Sequence, residues 1–219
     1  MKTALTRAAP PAADPKPARN ARQNREKIME AIRNAAIAEF SQNGLKGTST
    51  QAIAERAGLT KPQLHYYIQG KEALYEELLT SVVSEWKGMF DAGSTDPAKV
   101  LGNYIRFKLQ LAFDKPEISR IFTREVLDGG RNLDKFWPES RQRTREKADV
   151  INGWIARGLM KPVDAHTLLM SIWAITQFYA DSAVQVQRLM KPKQPGWTPD
   201  REALVEELTG FVLRGCGIK

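Results

Sequence analysis

The 219-residue sequence contains one cysteine and two histidines. A lone cysteine, Cys216, cannot form an internal disulfide, so nothing points to an oxidising compartment. Zinc sites are built mainly from cysteine and histidine, so we expect neither a metal site nor a cofactor. The sequence also lacks a glycine-rich phosphate loop and a nucleophile elbow, so we expect no enzymatic activity.

Long apolar runs are missing as well. The N-terminus carries an Ala/Pro stretch at residues 8–13 instead of the apolar core of a signal peptide. The most apolar segment, residues 168–186, contains Gln177, Asp181 and Gln185, which make it a poor membrane span. We therefore expect a cytoplasmic protein with no membrane partner.

Positive charge is concentrated near the N-terminus. Residues 1–75 carry 12 lysines and arginines against 6 acidic residues, whereas residues 76–219 carry 21 against 19. A basic segment joined to a nearly neutral body is typical of a nucleic-acid-binding module attached to another domain. A solvated basic face would give the same charge balance, so the charge alone leaves both interpretations open.

A helical period dominates the chain from Arg22 onward. Residues 1–21, rich in Ala, Pro, Lys and Arg, are predicted to be a disordered basic arm. No stretch shows the alternation of a strand, so the sequence predicts an all-α fold. Helix starts and stops are predicted from caps, prolines and glycines. The predicted helices span about 22–44, 50–57, 60–68, 71–90, 97–113, 116–128, 138–157 and 165–189, with a last one opened by Thr198-Pro199.

One pair of short helices has the pattern of a helix-turn-helix. Ala54 and Ala57 are small enough for two helices to cross closely, and Gly58 can adopt the positive φ of a tight turn. The next helix, with Thr60 as its N-cap, carries side chains able to reach bases or phosphates. An ordinary helical hairpin with polar residues facing water is the alternative, and the flanking basic arm favours DNA binding. These side chains are Lys61, Gln63, His65, Tyr67 and Lys71.

Residues 40–50, 53–60 and 64–74 closely resemble the DNA-binding domain of TetR-family repressors. The resemblance implies a three-helix helix-turn-helix domain at 22–70 and a helical effector-binding and dimerisation domain at 71–219. It implies a homodimer that binds double-stranded operator DNA. The sequence departs from the family at Ile68, where Phe is common, and at Pro62, where a small residue is common. Pro62 can alter how the recognition helix enters the groove.

The same resemblance implies which residues of the domain meet DNA. Leu64 is expected to pack inward, whereas Tyr66 either contacts a phosphate or packs beneath the domain. By position, Lys61, Gln63, His65 and Tyr67 face the DNA, and Thr50, Gln51 and Lys71 contact phosphates.

The body of the chain also resembles a branch of this family, the RutR-like regulators of pyrimidine utilisation. The resemblance lies in residues 104–111, 116–129, 151–155 and 172–186. It implies that the effector is uracil or thymine and that the regulated genes serve nucleobase metabolism. A different small planar or hydrophobic effector is one alternative, and a non-catalytic helical interaction module with a basic tail is another.

Trp173, Gln177 and Asp181 are spaced four apart, so they form one stripe on a helix. A Gln side chain can pair with the imide edge of uracil, and Trp173 with Trp86 can supply an apolar wall and an indole N–H. Alternatively, neighbouring Tyr, Arg or backbone groups satisfy Gln177 and Asp181, and the Trp residues are core. The predicted ligand-binding residues are Trp86, Trp173, Gln177, Tyr179 and Asp181.

The apolar helix 165–189 has more apolar surface than a ligand pocket covers. The last helix adds four further apolar side chains, so the two helices are predicted to form a four-helix dimer interface. These side chains are Leu204, Leu208, Phe211 and Val212.

Overall fold

The computed structural model describes residues 16–85, 90 and 93–218, and for residues 16–21 the backbone alone. Within these ranges the protein has ten α-helices, one 3₁₀ helix and no strand, which confirms the all-α prediction. A 3₁₀ helix (Arg131–Phe136) lies between α6 and α7. The helices are α1 (Lys16–Gly47), α2 (Thr50–Arg56), α3 (Lys61–Tyr67), α4 (Lys71–Glu85), α5 (Pro97–Asp114), α6 (Pro116–Leu127), α7 (Trp137–Ala156), α8 (Ala165–Asp181), α9 (Ala183–Met190) and α10 (Arg201–Gly215).

Several helix ends follow the signals predicted from the sequence. Asp96 begins α5, with its carboxylate accepting a hydrogen bond from Lys99 N at 3.1 Å. Gly44 has a φ of 67° and interrupts the helical conformation of α1 at the predicted end. Gly58 has a φ of 71° in the turn between α2 and α3. These ends are local effects of caps and glycines, which a sequence displays directly.

Both terminal helices begin at other positions than predicted. α1 begins at Lys16, so the last six residues of the predicted disordered arm are helical, while residues 1–15 lie outside the described residues. Alanine and arginine are good helix formers, and proline is tolerated in a first turn. α10 begins after Asp200, whose side chain accepts from Ala203 N at 3.0 Å, rather than at Thr198-Pro199.

The predicted single helix over 165–189 is two helices, α8 and α9. They meet at Ser182, where φ is −111° and ψ is 25°, and no glycine or proline marks this break. The predicted helix over 71–90 is described as α4 up to Glu85, and Phe90 lies in a bend.

Two hydrophobic cores organise the chain. The first joins Ile32, Phe40, Ile53 and Leu64 to α4, and it reaches Ile121 of α6. We call this part, α1 to α3 with the first half of α4, the head. Because α4 shares the core of the three helices before it, the predicted boundary between residues 70 and 71 divides one packed unit.

The second core lies in the body, where α5, α7, α8 and α10 pack around Tyr104, Trp154 and Leu169. α6 lies between the two cores and packs on α1 and α4 on one side and on α5 and α8 on the other. No helix in the described part of the chain combines the length and apolarity that a membrane span needs.

Candidate functional site

The turn between α2 and α3 is tightly built. Ile53, Ala54 and Leu64 are fully buried, which confirms the prediction that Leu64 packs inward. Thr60 N donates to Gln63 Oε1 at 2.8 Å, and Gln63 N donates to Thr60 Oγ1 at 3.3 Å. This reciprocal pair is a capping box, so the first turn of α3 has a fixed orientation on the head.

The outer face of α3 is exposed and carries no acidic residue. Lys61, Gln63 and His65 are exposed, and Tyr67 is half-buried. Tyr66 is 77% exposed, so of the two alternatives for this residue the structure excludes packing beneath the head. The Tyr66 and Tyr67 rings meet edge to face at 5.2 Å between centroids. The face therefore combines a lysine, an amide, an imidazole and a phenol, all groups that bind bases or phosphates.

The three residues predicted to contact phosphates differ in their surroundings. Thr50 is half-buried at the start of α2, and Gln51 is exposed, with Nε2 donating to Glu55 Oε1 at 2.6 Å.

Lys71 is turned inward: its Nζ donates to Leu45 O at 2.9 Å and to Thr48 O at 2.7 Å. The ammonium group thus ties α4 to the end of α1, and the structure does not support a phosphate contact for it. Sequence reasoning missed this role because both carbonyls lie more than twenty positions away along the chain.

A cavity of about 680 Å³ opens in the body between α5, α7 and α8, with α6 and the 3₁₀ helix at its side. Trp173 Nε1 donates to Tyr104 Oη at 2.5 Å, so the indole N–H that was predicted to meet a ligand already has a partner. Burial raises the pKa of Tyr104 to about 12. One wall is aromatic and consists of Tyr104, Phe122, Phe136, Trp137 and Trp173.

The cavity is also lined by basic residues, which we call the cationic wall. Among its described lining residues none is Asp or Glu. Burial, and secondarily the charge of Lys147, lowers the pKa of Lys108 to about 8. Burial, and secondarily the charge of Arg143, lowers the pKa of Lys147. The basic lining residues are Lys108, Arg141, Arg143, Arg145, Lys147 and His166.

Sequence reasoning missed this cationic wall. Arg143 and Lys147 stand four apart on α7, and Tyr104 and Lys108 stand four apart on α5. This spacing places each pair on one helix face, and it could have indicated that the side chains of each pair line the same cavity.

Of the five predicted ligand-binding residues, Trp173 alone is among the described lining residues of the cavity. Trp86 lies outside the described residues. Tyr179 packs against Phe113, with 6.1 Å between ring centroids.

Gln177 and Asp181 belong to a polar cluster between α8 and α6. Gln177 Nε2 donates to Ser119 Oγ at 2.6 Å, and Thr123 Oγ1 donates to Asp181 Oδ2 at 2.8 Å. Gln177 Nε2 also lies 3.2 Å from Asp181 Oδ1. The structure thus corresponds to the alternative in which neighbours satisfy both residues, although these neighbours are hydroxyl groups of Ser and Thr.

Two family models match the chain in succession. The model described as bacterial regulatory proteins of the tetR family covers residues 32–78, and the model described as the C-terminal region of YcdC-like proteins covers residues 76–219. The chain belongs to the TetR family. It is a ligand-responsive transcription regulator of that family, whose members bind DNA and are not enzymes.

Relatives of known sequence agree with this assignment. The chain is 40% identical to the HTH-type transcriptional regulator RutR of Escherichia coli strain K12 over 161 residues, which are 72% of this chain and 76% of that protein. The class D tetracycline repressor of Escherichia coli is 28% identical over 64 residues, 29% of this chain and 28% of that protein.

Solved TetR-family structures share the fold. The ketosteroid transcriptional regulator KstR2 of Mycobacterium tuberculosis superimposes with a TM-score of 0.69 at 20% identity, covering 86% of this chain and 93% of that one. AibR in complex with isovaleryl coenzyme A and operator DNA superimposes with a TM-score of 0.65 at 18% identity, covering 84% and 97%. The resemblance inferred from the sequence is therefore confirmed at the level of family and fold.

Proposed function

We propose that the protein is a homodimeric repressor whose DNA affinity changes when uracil or thymine binds in the body cavity. The regulated genes would serve nucleobase metabolism, and the protein would act in the cytoplasm, where operator DNA lies. The observation that carries the effector-responsive part is the position of α6, which contacts both the cavity and the head.

α6 reaches the cavity through Phe122, which lines it, and meets α8 through Ser119 and Thr123. Towards the head, Arg124 Nη1 donates to Gln42 O of α1 at 2.9 Å. A ligand that shifts α6 therefore acts on the head through direct contacts, since packed elements move as units.

The buried carboxylate of Glu125 adds a second connection from α6. It accepts from Tyr75 Oη of α4 at 3.1 Å and from the Asn132 backbone N–H at 2.9 Å. Burial and the neighbouring Glu125 raise the pKa of Tyr75, so its hydroxyl keeps the donated proton to a higher pH than an exposed tyrosine does. A fully satisfied buried network of this kind holds α4, α6 and the 3₁₀ helix in one arrangement.

A pyrimidine effector is supported by the RutR-like segments of the body and by the aromatic wall of the cavity. Trp173 and Tyr104 offer flat apolar faces to a planar ring. Gln177 lies one turn beyond Trp173 on α8. To pair with the imide edge of the ligand, the Gln177 amide would give up its hydrogen bond to the Ser119 hydroxyl. A neutral hydrogen bond to the ligand would then replace a neutral hydrogen bond within the protein.

Operator binding is proposed for the exposed face of α3. Lys61, His65 and Tyr67 would reach bases, while Thr50, Gln51 and Tyr66 would contact phosphates. Because Gln63 Oε1 accepts from Thr60 in the capping box, its Nε2 is the atom that would donate to a base acceptor.

Dimerisation is proposed through α8, α9 and the outer face of α10, with a second copy of this chain as the partner. Of the four apolar residues predicted on α10, Leu204, Leu208 and Val212 pack towards the protomer's own core, and Phe211 is exposed. Six large apolar side chains of these helices are exposed, one of which, Met170, also lines the cavity, and exposed apolar groups mark interfaces between chains when they cluster. The exposed residues are Met170, Phe178, Val184, Leu189, Met190 and Phe211.

A gel-shift assay with the DNA upstream of its own gene tests the proposal. We expect a retarded band whose amount changes on addition of uracil or thymine. Trp173→Phe should weaken the response, since it alters the aromatic wall and removes the hydrogen bond to Tyr104. Tyr179→Phe is the matched control on the same helix and should respond like the wild type. No retarded band would contradict operator binding at this DNA, and a band indifferent to both nucleobases would contradict the pyrimidine effector.

A further inference from the structure

We propose that the effector carries an acidic group, a carboxylate or a phosphate, attached to its planar ring directly or through a sugar. This inference rests on the proposed function, because it assumes that the body cavity is the effector site. It replaces the bare nucleobase with an acidic derivative of the same ring, because an uncharged nucleobase offers only neutral carbonyl acceptors to a cationic wall.

The first observation is the distribution of charge around the cavity. Six of its lining residues are basic, and no described lining residue is acidic. Lys147 Nζ lies 5.0 Å from the centroid of the Tyr104 ring and 3.4 Å from Tyr104 Oη. The cationic wall thus begins directly beside the aromatic wall. A ring on the aromatic wall with a short acidic substituent would reach both.

The second observation is an arginine with unused donors. Arg143 Nε and Nη2 are buried and make no hydrogen bond. Nη2 lies 2.9 Å from Glu139 Oε1, an ion-pair distance without hydrogen-bond alignment. Nη2 is thus partly compensated by Glu139, whereas Nε is a buried donor for which a ligand carboxylate or phosphate would be a well-aligned acceptor. Arg143 is therefore a group that an anionic ligand would complete.

The third observation is that the cations crowd one another. Burial is the main cause of the lowered pKa of Lys108 and of Lys147, and the second cause is the charge of Lys147 for Lys108 and of Arg143 for Lys147. Like charges held together in a partly buried wall disfavour the charged state, and a bound anion reverses the sign of that interaction.

The size of the cavity agrees with a substituted ring. Its volume of about 680 Å³ lies within the range of pockets that enclose drug-sized ligands. A single pyrimidine ring leaves most of this volume to water, whereas a ring with an acidic substituent or a phosphorylated sugar uses more of it.

Isothermal titration calorimetry on the full chain distinguishes the candidates with four probes. These are uracil, thymine, orotate (uracil with a ring carboxylate) and uridine 5′-monophosphate. We expect at least one acidic probe to bind about tenfold or more tightly than uracil, in keeping with a charge-assisted hydrogen bond. Tighter binding of orotate identifies a carboxylate, and tighter binding of the nucleotide identifies a phosphate.

Three variants assign the effect to the cationic wall. Lys147→Met and Arg143→Met remove a charge and keep an apolar stem, and Lys99→Met, an exposed position on α5 away from the cavity, is the control. The cavity variants should weaken the acidic probe about tenfold, since one charged hydrogen bond contributes roughly that factor. Their affinity for uracil should change less than about threefold, and the ligand-free Lys147→Met protein should melt no lower than the wild type.

Three outcomes would overturn the inference. If uracil binds more tightly than both acidic probes, the acidic group is wrong while the pyrimidine proposal stands. If none of the four probes binds, both proposals fall. If Lys147→Met and Arg143→Met weaken all probes equally and lower the melting temperature, the two residues are structural and the assignment of charge recognition to them is wrong.

Discussion

At the scale of single residues, Lys108 makes the stability of the body depend on pH. Its pKa is lowered from 10.5 to about 8, first by burial and second by Lys147. The unfolded chain keeps the ordinary value, so between about pH 8 and 10.5 the unfolded state binds more protons than the folded state. The free energy of unfolding should therefore rise with pH through this window.

Tyr104 sets the upper end of that rise. Its pKa is raised from 10.0 to about 12, so above its unfolded value its stabilising contribution is lost as the pH increases. We expect urea denaturation to give a larger free energy of unfolding near pH 9.5 than near pH 7.5. Lys108→Met should remove much of this increase and Lys99→Met should keep it. A wild-type curve that is flat or falls over the interval would contradict the buried, charged Lys108.

His65 and Lys71 were both predicted to contact DNA, but their surroundings in the structure differ. His65 is exposed, so His65→Ala should leave the melting temperature unchanged and weaken operator binding by about 1–3 kcal/mol if it contacts a base. Fluorescence anisotropy with operator and scrambled DNA measures this loss. Equal affinities of variant and wild type for the operator would remove His65 from the interface.

Lys71 should behave in the opposite way. Lys71→Met loses two hydrogen bonds to the carbonyls of Leu45 and Thr48, so the free energy of unfolding should fall by about 1–3 kcal/mol. Lys61→Met, at an exposed position of α3, is the control and should unfold like the wild type. If Lys71→Met has the same free energy of unfolding as the wild type in chemical denaturation, these two hydrogen bonds contribute little to the stability of the head.

At the scale of elements, α6 is the helix through which we expect coupling. Arg124→Ala removes the exposed hydrogen bond to Gln42 O, and Arg124 is not among the residues that line the cavity. It should leave operator affinity and effector affinity nearly unchanged when each is measured alone. The factor by which effector changes operator affinity should shrink towards one, because coupling is a free energy separate from either affinity. If anisotropy titrations with and without effector give the same coupling for the variant and the wild type, the contact between Arg124 and Gln42 does not transmit the effect of the effector.

The helices show which parts of the structure a sequence reveals. Asp96, Thr60 and Gly44 act within a few residues of themselves, and all three mark helix ends as predicted. The break at Ser182 has no such marker and was missed. Helix breaks of this kind depend on packing between distant segments, which periodicity does not contain.

The hydrogen-bond partners of Gln177 and Asp181 could not be predicted from the sequence either. The stripe of Trp173, Gln177 and Asp181 on one helix was predicted from spacing, but spacing does not say which neighbouring helix faces it. The structure puts Ser119 and Thr123 of α6 there, while Trp173 reaches the cavity. Four of the six basic residues of the cationic wall lie in residues 141–147 of α7, but the sequence does not show that Lys108 of α5 and His166 of α8 face them.

At the scale of the whole molecule, dimerisation is the testable property. Leu189 on α9 is 74% exposed within the proposed interface, and Leu127 on α6 is 80% exposed outside it. In a two-fold dimer, Leu189→Glu introduces a carboxylate into the interface from each protomer, so this variant should shift the protein towards monomer. Leu127→Glu lies outside the interface and should not. Sedimentation velocity at micromolar concentration measures both. A wild-type monomer, or equal behaviour of the two variants, would contradict this interface.

A dimer also constrains the DNA. Two heads related by a two-fold axis require a nearly palindromic operator with half-sites about one helical turn apart. Leu189→Glu should therefore lose affinity for the full operator far more than for a single half-site.

The buried position of Cys216 makes the protein suitable for distance measurements by spectroscopy. Its side chain is 2% exposed, and burial raises the pKa of its thiol, so thiol-reactive labels have little thiolate to attack. A new cysteine at an exposed site of α1, such as Lys27→Cys, can then carry a spin label without removal of the native one. Each dimer would hold two labels, one per head, and the distance between them with and without effector would report directly how far the heads move.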